Sequence, residues 1–464
     1  MKACDLLITN GCLITMDPER RIISDGMIAV KDGVIEALGR REDIAEYEAA
    51  ETIDAGGMFI FPGMVSTHTH SFQMLTRGLG RDLTLFDWLD SSVRYCMHNH
   101  TEETIYQSAL ICAMESLRSG MTTTLDYEYA HPRRGGFSDV AISAFRKAGI
   151  RCVFGRGHGD MSGFAPEIAC DYVDTEQDFL DDSRRLAKLY PHDDMMRIAM
   201  APGLIFDQTP DGFREMRKIA DEYGIMITMH MLETPDDNAF SREKYGMNVT
   251  PWLEKLGFLG PDYLAVHCVD MNDDDFALFK QYDIKVCHCP NSNMILASGI
   301  APVARMLEEG LTVSLGVDGA SSNDTQNMLN EMRMATMLQK AVTRNPKVVP
   351  AGQALELATL GGARALGMDR LIGSLETGKK ADMFFFDTNK LNTNPTHDPI
   401  TALVYNAEPE NIHTVIVDGR VRIRGHEFVD LDEEKIKADA QRISRNLVRQ
   451  SRLEVREWNQ VIDL

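Results

Sequence analysis

Short apolar runs recur along this chain, and the spacing between them changes twice. Up to residue 58 they are strand-length and closed by turn residues: Leu6-Leu-Ile-Thr-Asn-Gly, Cys12-Leu-Ile-Thr-Met, Met27-Ile-Ala-Val-Lys-Asp-Gly and Val34-Ile-Glu-Ala-Leu-Gly. Asn10-Gly11 and Asp32-Gly33 favour tight hairpins. From 59 to 370 apolar runs alternate with amphipathic stretches. Strands are expected in Phe59–His70, Thr122–Asp126, Arg151–Gly155, Arg197–Pro202, Met226–His230, Tyr263–His267, Ile284–His288 and Val313–Asp318. Helical stretches include Glu102–Ser119, Asp211–Tyr223, Thr250–Leu256, Asp273–Tyr282 and Val303–Glu309. Eight strands separated by helices predict an α/β chain folded as a parallel (β/α)8 TIM-like barrel, with its chemistry at the strand C-termini. Strand character returns over 371–430, which is expected to complete the β-rich module of residues 1–58. A helical segment over 431–464 closes the chain.

Composition narrows what such a barrel does. With 464 residues, 44% hydrophobic and 25% charged, there is material for a large core plus a smaller module. A net charge of -22 argues against nucleic acid as a partner and favours a small substrate. Nine scattered cysteines do not form a secreted disulfide framework, and no apolar run reaches the roughly 18 residues needed to cross a bilayer. The N-terminus lacks the uninterrupted apolar region of a signal peptide, so a cytoplasmic protein is expected, with no membrane partner.

The chemistry begins at Phe59-Ile-Phe-Pro-Gly-Met-Val-Ser-Thr-His68-Thr-His70. Side chains two apart share one face of a strand, so His68 and His70 converge. His230, His267 and Asp318 each close another expected strand. Three histidines and an aspartate at barrel strand ends supply N and O ligands for one divalent cation, with a position left for water. Zn2+ or Fe2+ suits them, and the residues do not choose between the two. Such an ion lowers the pKa of its water toward ~7. Glu233, three residues past His230 on the loop leaving its strand, is the expected general acid/base. His267 is either a further ligand or a group that steers the water, and Asp318 either only binds or also accepts the water's proton. Cys287 and Cys289 share a strand face, but no second cysteine pair stands at structural-zinc spacing. The Pro-Cys-x-x-Cys of the cytidine-deaminase zinc signature is absent. A non-catalytic metal-binding protein is the alternative outside the enzyme class, and it would be signalled by loss of Glu233 or of a ligand.

These residues sit in a wider ordered set: Pro62-Gly-Met-Val-Ser-Thr-His-Thr-His70, Leu75-Thr-Arg-Gly, Phe86-Asp-Trp-Leu, His230-Met-Leu-Glu-Thr234, Val266-His-Cys-Val, Pro290-Asn-Ser-Asn-Met-Ile-Leu-Ala-Ser-Gly, Gly316-Val-Asp-Gly-Ala-Ser-Ser-Asn-Asp324 and Ile372-Gly-Ser-Leu-Glu-Thr-Gly-Lys-Lys-Ala-Asp382. Over residues 5–430 the chain resembles the amidohydrolase superfamily. Within it, the similarity is to the branch of S-adenosylhomocysteine and methylthioadenosine deaminases, 8-oxoguanine deaminase and the s-triazine deaminases and chlorohydrolases. The resemblance implies a mononuclear site held by His68, His70, His230 and Asp318, with Glu233 shuttling the proton and His267 orienting water and substrate. It also implies a small β-sandwich made from both chain ends (1–58 and 371–430), homo-oligomers, and a hydrolytic deaminase of an amino-substituted N-heterocycle such as an oxopurine, pterin, pyrimidine or s-triazine. A nucleoside deaminase and a triazine chlorohydrolase are the alternatives. Arg94-Tyr-Cys-Met-His-Asn-His100 lacks the carboxylate that grips ribose hydroxyls in the nucleoside enzymes, which speaks against a nucleoside. A serine in the Asp-Gly-Ala-Ser-Ser run favours loss of ammonia over chloride. Gln73, Trp88, Tyr127, His131 and Asn293 are the candidate substrate contacts.

Overall fold

A computed structural model describes residues 2–44, 46–131, 136–159, 174–191, 193–205 and 207–451, the side chain of Tyr95 excepted. The chain opens with strands β1 (Lys2–Ile14), β2 (Ile22–Lys31), β3 (Val34–Arg40), β4 (Tyr47–Asp54) and β5 (Phe59–Pro62). The barrel strands are β6 (Met64–Thr69), β7 (Met121–Glu128), β8 (Arg151–His158), β9 (Met196–Pro202), β10 (Met226–Met231), β11 (Tyr263–His267), β12 (Lys285–His288) and β13 (Val313–Leu315). The chain then returns through β14 (Met383–Phe386), β15 (Ile412–Val417), β16 (Arg420–Arg424) and β17 (Glu427–Phe428) to a helix over Glu433–Gln450. The expectation of helix beyond 451 lies outside the described residues.

The barrel strands form one parallel sheet in chain order from β6 to β13. Its closing seam is stitched mainly by hydroxyls. Thr67 Oγ1 meets Ser314 Oγ at 2.7 Å and donates to the Leu315 carbonyl, while Ser66 Oγ accepts from Val317 N. The barrel interior is filled by Val65, Leu125, Tyr127, Val153, Ala199, Leu264 and Val266, as expected of alternate inward positions. A second, larger apolar layer lies between strands and helices. The helices start where side chains satisfy their first amides: Thr101, Thr209 and Asn272 each accept from backbone N–H groups two or three residues on.

The other strands build a separate mixed sheet from both chain ends, in the order β17-β16-β15-β14-β5-β1-β2-β3, with β4 also paired to β1. Asp32 and Gly33, at φ 49° and 75°, make the expected tight turn between β2 and β3. Asn10-Gly11 makes no hairpin. It is a bulge inside a single strand, with Asn10 at φ 56°, and it lets β1 pair with β4 up to Thr9 and with β5 from Cys12. A left-handed Asn beside Gly serves a bulge as readily as a turn, so the dipeptide alone does not separate the two. The run leading to His68 is divided at Gly63: β5 pairs in the mixed sheet and β6 in the barrel.

Candidate active site

The convergent residues stand at the C-terminal mouth of the barrel. His68 and His70 come from the end of β6, His230 from β10, His267 from the last residue of β11, and Asp318 from the loop leaving β13. Ring nitrogens of His68, His70 and His230 all lie within 4.8 Å of one another, as do donor atoms of His68, His267 and Asp318. Asp318 Oδ1 is 3.3 Å from His68 Nε2 and 3.4 Å from His70 Nε2. His68 fits against β13 because Gly316 has no side chain there. A Cβ at that position would come 2.8 Å from the Cβ of His68 and 2.6 Å from Cys287 Sγ.

Hydrogen bonding fixes which nitrogens face inward. His70 Nδ1 lies 2.8 Å from the Tyr127 carbonyl and His230 Nδ1 3.3 Å from that of Gly203. A carbonyl only accepts, so both Nδ1 atoms carry the proton and both Nε2 lone pairs are bare. Those two bare nitrogens point at each other across 3.1 Å. Buried His68 has no partner at Nδ1, and its Nε2 faces only the Asp318 carboxylate. Facing lone pairs repel in a dry cavity unless a cation lies between them, and tetrahedral zinc with N ligands at about 2.0–2.1 Å matches such spacing. The donor set therefore fits a divalent cation.

Titration directions agree. Burial, reinforced by neighbouring His68, takes the His70 imidazole down to about 3, and burial lowers His68 and His230 too. Burial works against the Asp318 carboxylate, but its bond to His68 and the surrounding imidazoles outweigh that and hold it well below the usual range. All four are in their ligating forms at neutral pH. Burial and the charge of Asp318 push Glu233 up to about 8. Its Oε1 accepts from Ser298 Oγ at 3.0 Å, and its Oε2 lies 3.4 Å from His267 Nε2.

Backbone strain marks the same spot. Leu232, His267 and Asp318 have φ of 54°, 74° and 57°, conformations that cost non-glycine residues about 1–3 kcal/mol each. Surrounding bonds hold them: Asp318 N donates to the His68 carbonyl, and the Asp318 carbonyl accepts from Thr69 Oγ1 and Gln326 Nε2.

A pocket opens above these groups. Its wall is mostly apolar, with Leu85, Trp88, Leu89, Val93, Met97, Leu204 and Leu296, and it also carries Tyr129, Arg94 and Asp207. Of the five candidate contacts, Trp88 lines this wall and donates from Nε1 to Ser321 Oγ. The other four stand behind it. Gln73 reaches Tyr129 OH, Tyr127 turns its hydroxyl to the carbonyls of Pro202 and Gly203, and His131 folds back on the Glu128 carbonyl. Asn293 contacts His267. Sequence reasoning passed over Tyr129, Ser298 and Asp207. Tyr129 carried a signal, since it shares the face of Tyr127 two residues on.

A model described as the amidohydrolase family matches residues 59–422. The chain belongs to the amidohydrolase family. It is a hydrolase acting on C–N bonds other than peptide bonds. A 5'-deoxyadenosine deaminase of Methanosarcina mazei is 35% identical over 96% of this chain and 98% of its own length. A 5-methylthioadenosine/S-adenosylhomocysteine deaminase of Syntrophobacter fumaroxidans is 32% identical over 96% and 98%. Among solved structures, a zinc-bound adenosine deaminase from Xanthomonas campestris superposes with TM-score 0.90 and 29% identity over 97% and 99% of the two chains. A mutant atrazine chlorohydrolase from Arthrobacter aurescens, complexed with zinc and atraton, gives 0.88 and 26% over 95% and 100%.

Proposed function

We propose that this protein is a metal-dependent hydrolytic deaminase that releases ammonia from an amino-substituted N-heterocycle. The observation that carries the reading is the pair of bare Nε2 atoms of His70 and His230 set 3.1 Å apart, with His68 and Asp318 converging on them and a protonatable Glu233 beside them. His68, His70, His230 and Asp318 would hold one divalent cation, with zinc favoured by the zinc-bound neighbours. A cation there acidifies water toward a pKa of about 7. Glu233, held by Ser298 at Oε1, takes up a proton and delivers it to the departing amino nitrogen. His267 orients the reacting oxygen, and the apolar wall around Trp88 holds the ring and excludes water.

An adenosine-type nucleoside is the more specific reading. The relatives' substrates favour it, and so does one residue outside Arg94–His100: Asp207 places a carboxylate on the pocket wall, where it can accept from sugar hydroxyls. The reading includes a homo-oligomer in the cytoplasm, to be checked by native mass spectrometry and fractionation. Zinc-loaded protein incubated with amino-purines, adenosine-type nucleosides, pterins, amino-pyrimidines and s-triazines should release ammonia from at least one class. Release of chloride or an alkylamine instead would overturn the leaving-group assignment.

A further inference from the structure

The imidazoles in this pocket are held in two opposite ways. His70 and His230 turn Nδ1 to backbone carbonyls and keep Nε2 bare. His267 turns Nδ1 to a side-chain amide: Asn293 Nδ2 approaches it at 3.1 Å. An amide NH2 only donates, so His267 Nδ1 must accept, and the neutral ring carries its proton on Nε2. That nitrogen is the one 3.4 Å from Glu233 Oε2.

Every link then pairs a donor with an acceptor, from Asn293 Nδ2 to His267 Nδ1, from His267 Nε2 to Glu233 Oε2, and from Ser298 Oγ to Glu233 Oε1. Rotating the Asn293 amide would put its oxygen on Nδ1, strip the proton from Nε2, and set a bare nitrogen against Glu233 whenever that carboxyl is ionised. Burial holds the arrangement: Asn293 and His267 are each 1% exposed. Asn293 rides on the short helix Pro290–Ile295, directly after β12.

We propose that Asn293 is a positioning residue that locks His267 as the Nε2–H tautomer. Distance alone would let His267 join His68 and Asp318 around a cation. The tautomer removes it from the ligand set, because a protonated Nε2 has no lone pair to give, and makes it a hydrogen-bond donor to Glu233 and to the reacting oxygen. The cation is left with His68, His70, His230 and Asp318. The catalytic consequence rests on the deaminase reading, whereas the tautomer does not.

The test uses zinc-loaded full-length protein labelled with 15N-histidine, the His267 signals being assigned by their loss in His267→Gln. Nitrogen shifts should show Nε2 protonated and Nδ1 bare in the parent protein, and the reverse result overturns the proposal. Asn293→Asp keeps the shape but offers Nδ1 only acceptors, so the proton should move to Nδ1. In that variant kcat should fall on the order of 10²- to 10⁴-fold with KM little changed, the scale set by a wrong histidine tautomer elsewhere. With Co2+ in place of zinc, the visible spectrum of Asn293→Asp should shift as the bared Nε2 enters the coordination sphere. A switched tautomer with kcat within threefold of the parent would sink the positioning role. If the variant loses its fold, the parent spectrum still decides the tautomer. If the parent releases ammonia from no heterocycle, the deaminase reading fails while the nitrogen shifts still test Asn293.

Discussion

At the scale of single residues, the pocket separates groups that hold a cation from groups that move protons. His68 is fully buried, and its Nε2 faces the Asp318 carboxylate at 3.3 Å. Truncating it opens the ligand set, and His68→Ala should lower zinc stoichiometry, measured by elemental analysis, well below one per chain. Glu233 stands to one side of the bare nitrogens and pairs with His267 and Ser298. Glu233→Gln keeps its volume and its contact with Ser298 but cannot exchange a proton. It should keep zinc near one per chain and lose about 10²- to 10⁴-fold in kcat, the usual scale for general acid–base catalysis. Near-native turnover in that variant would remove Glu233 from its role. Together the two substitutions divide metal retention from turnover.

At the scale of elements, the loops that deliver these side chains are tied to one another by Glu331, on the helix Met328–Thr343. Its carboxyl accepts from Asn291 N and Nδ2, on the helix that carries Asn293, and from Asn323 Nδ2, on the loop that carries Asp318. Burial pushes Glu331 from 4.5 up to about 8, so the folded protein holds this proton more tightly than the unfolded chain does. Its contribution to stability is therefore complete below about 4.5 and is lost as pH rises through about 8. Glu331→Gln mimics the protonated acid and forfeits only the 3.3 Å bond from Asn291 N. Its melting temperature should fall less steeply than the parent's between pH 5 and 8 in calorimetry, and parallel curves would refute the assignment. Elements of this kind show how far the sequence could be read. The barrel strands and the histidines at their ends were legible because a two-residue side-chain period and apolar runs encode both. The pocket wall was legible only at Trp88. It is built by the short helical turns between Leu85 and Met97 and by the loops carrying Asp207 and Leu296, whose directions are set by tertiary packing rather than by any period. The positive φ of His267 and Asp318 is only weakly encoded, since Asp and His are enriched there but mostly adopt ordinary conformations.

At the scale of the whole molecule, the barrel and the mixed sheet are joined at the end of the barrel remote from the pocket, and one buried ion pair lies at that junction. Arg151, the first residue of β8, donates from Nε and Nη2 to the two carboxylate oxygens of Asp382, just before β14, at 3.1 and 3.0 Å. The two side chains are 0% and 2% exposed. Asp382 also accepts from Asp418 N and, through its carbonyl, from Gly63 N, where the chain passes from sheet to barrel. Removing one partner of such a pair strands the other charge without water, which costs about 3–5 kcal/mol. Asp382→Ala should therefore lower the unfolding free energy by about that amount in urea denaturation. Asp382→Asn, which keeps an acceptor for Asp418 N, should lose less. Pairing Asp382→Ala with Arg151→Met should recover part of the loss, because no buried charge then remains unpaired. Zinc content and kcat of the folded fraction should stay at parent values in all three, since the cation ligands lie at the opposite mouth of the barrel. A parallel loss of zinc would instead mean that the sheet and the active site unfold as one unit, and that the junction acts on the chemistry as well as on the fold.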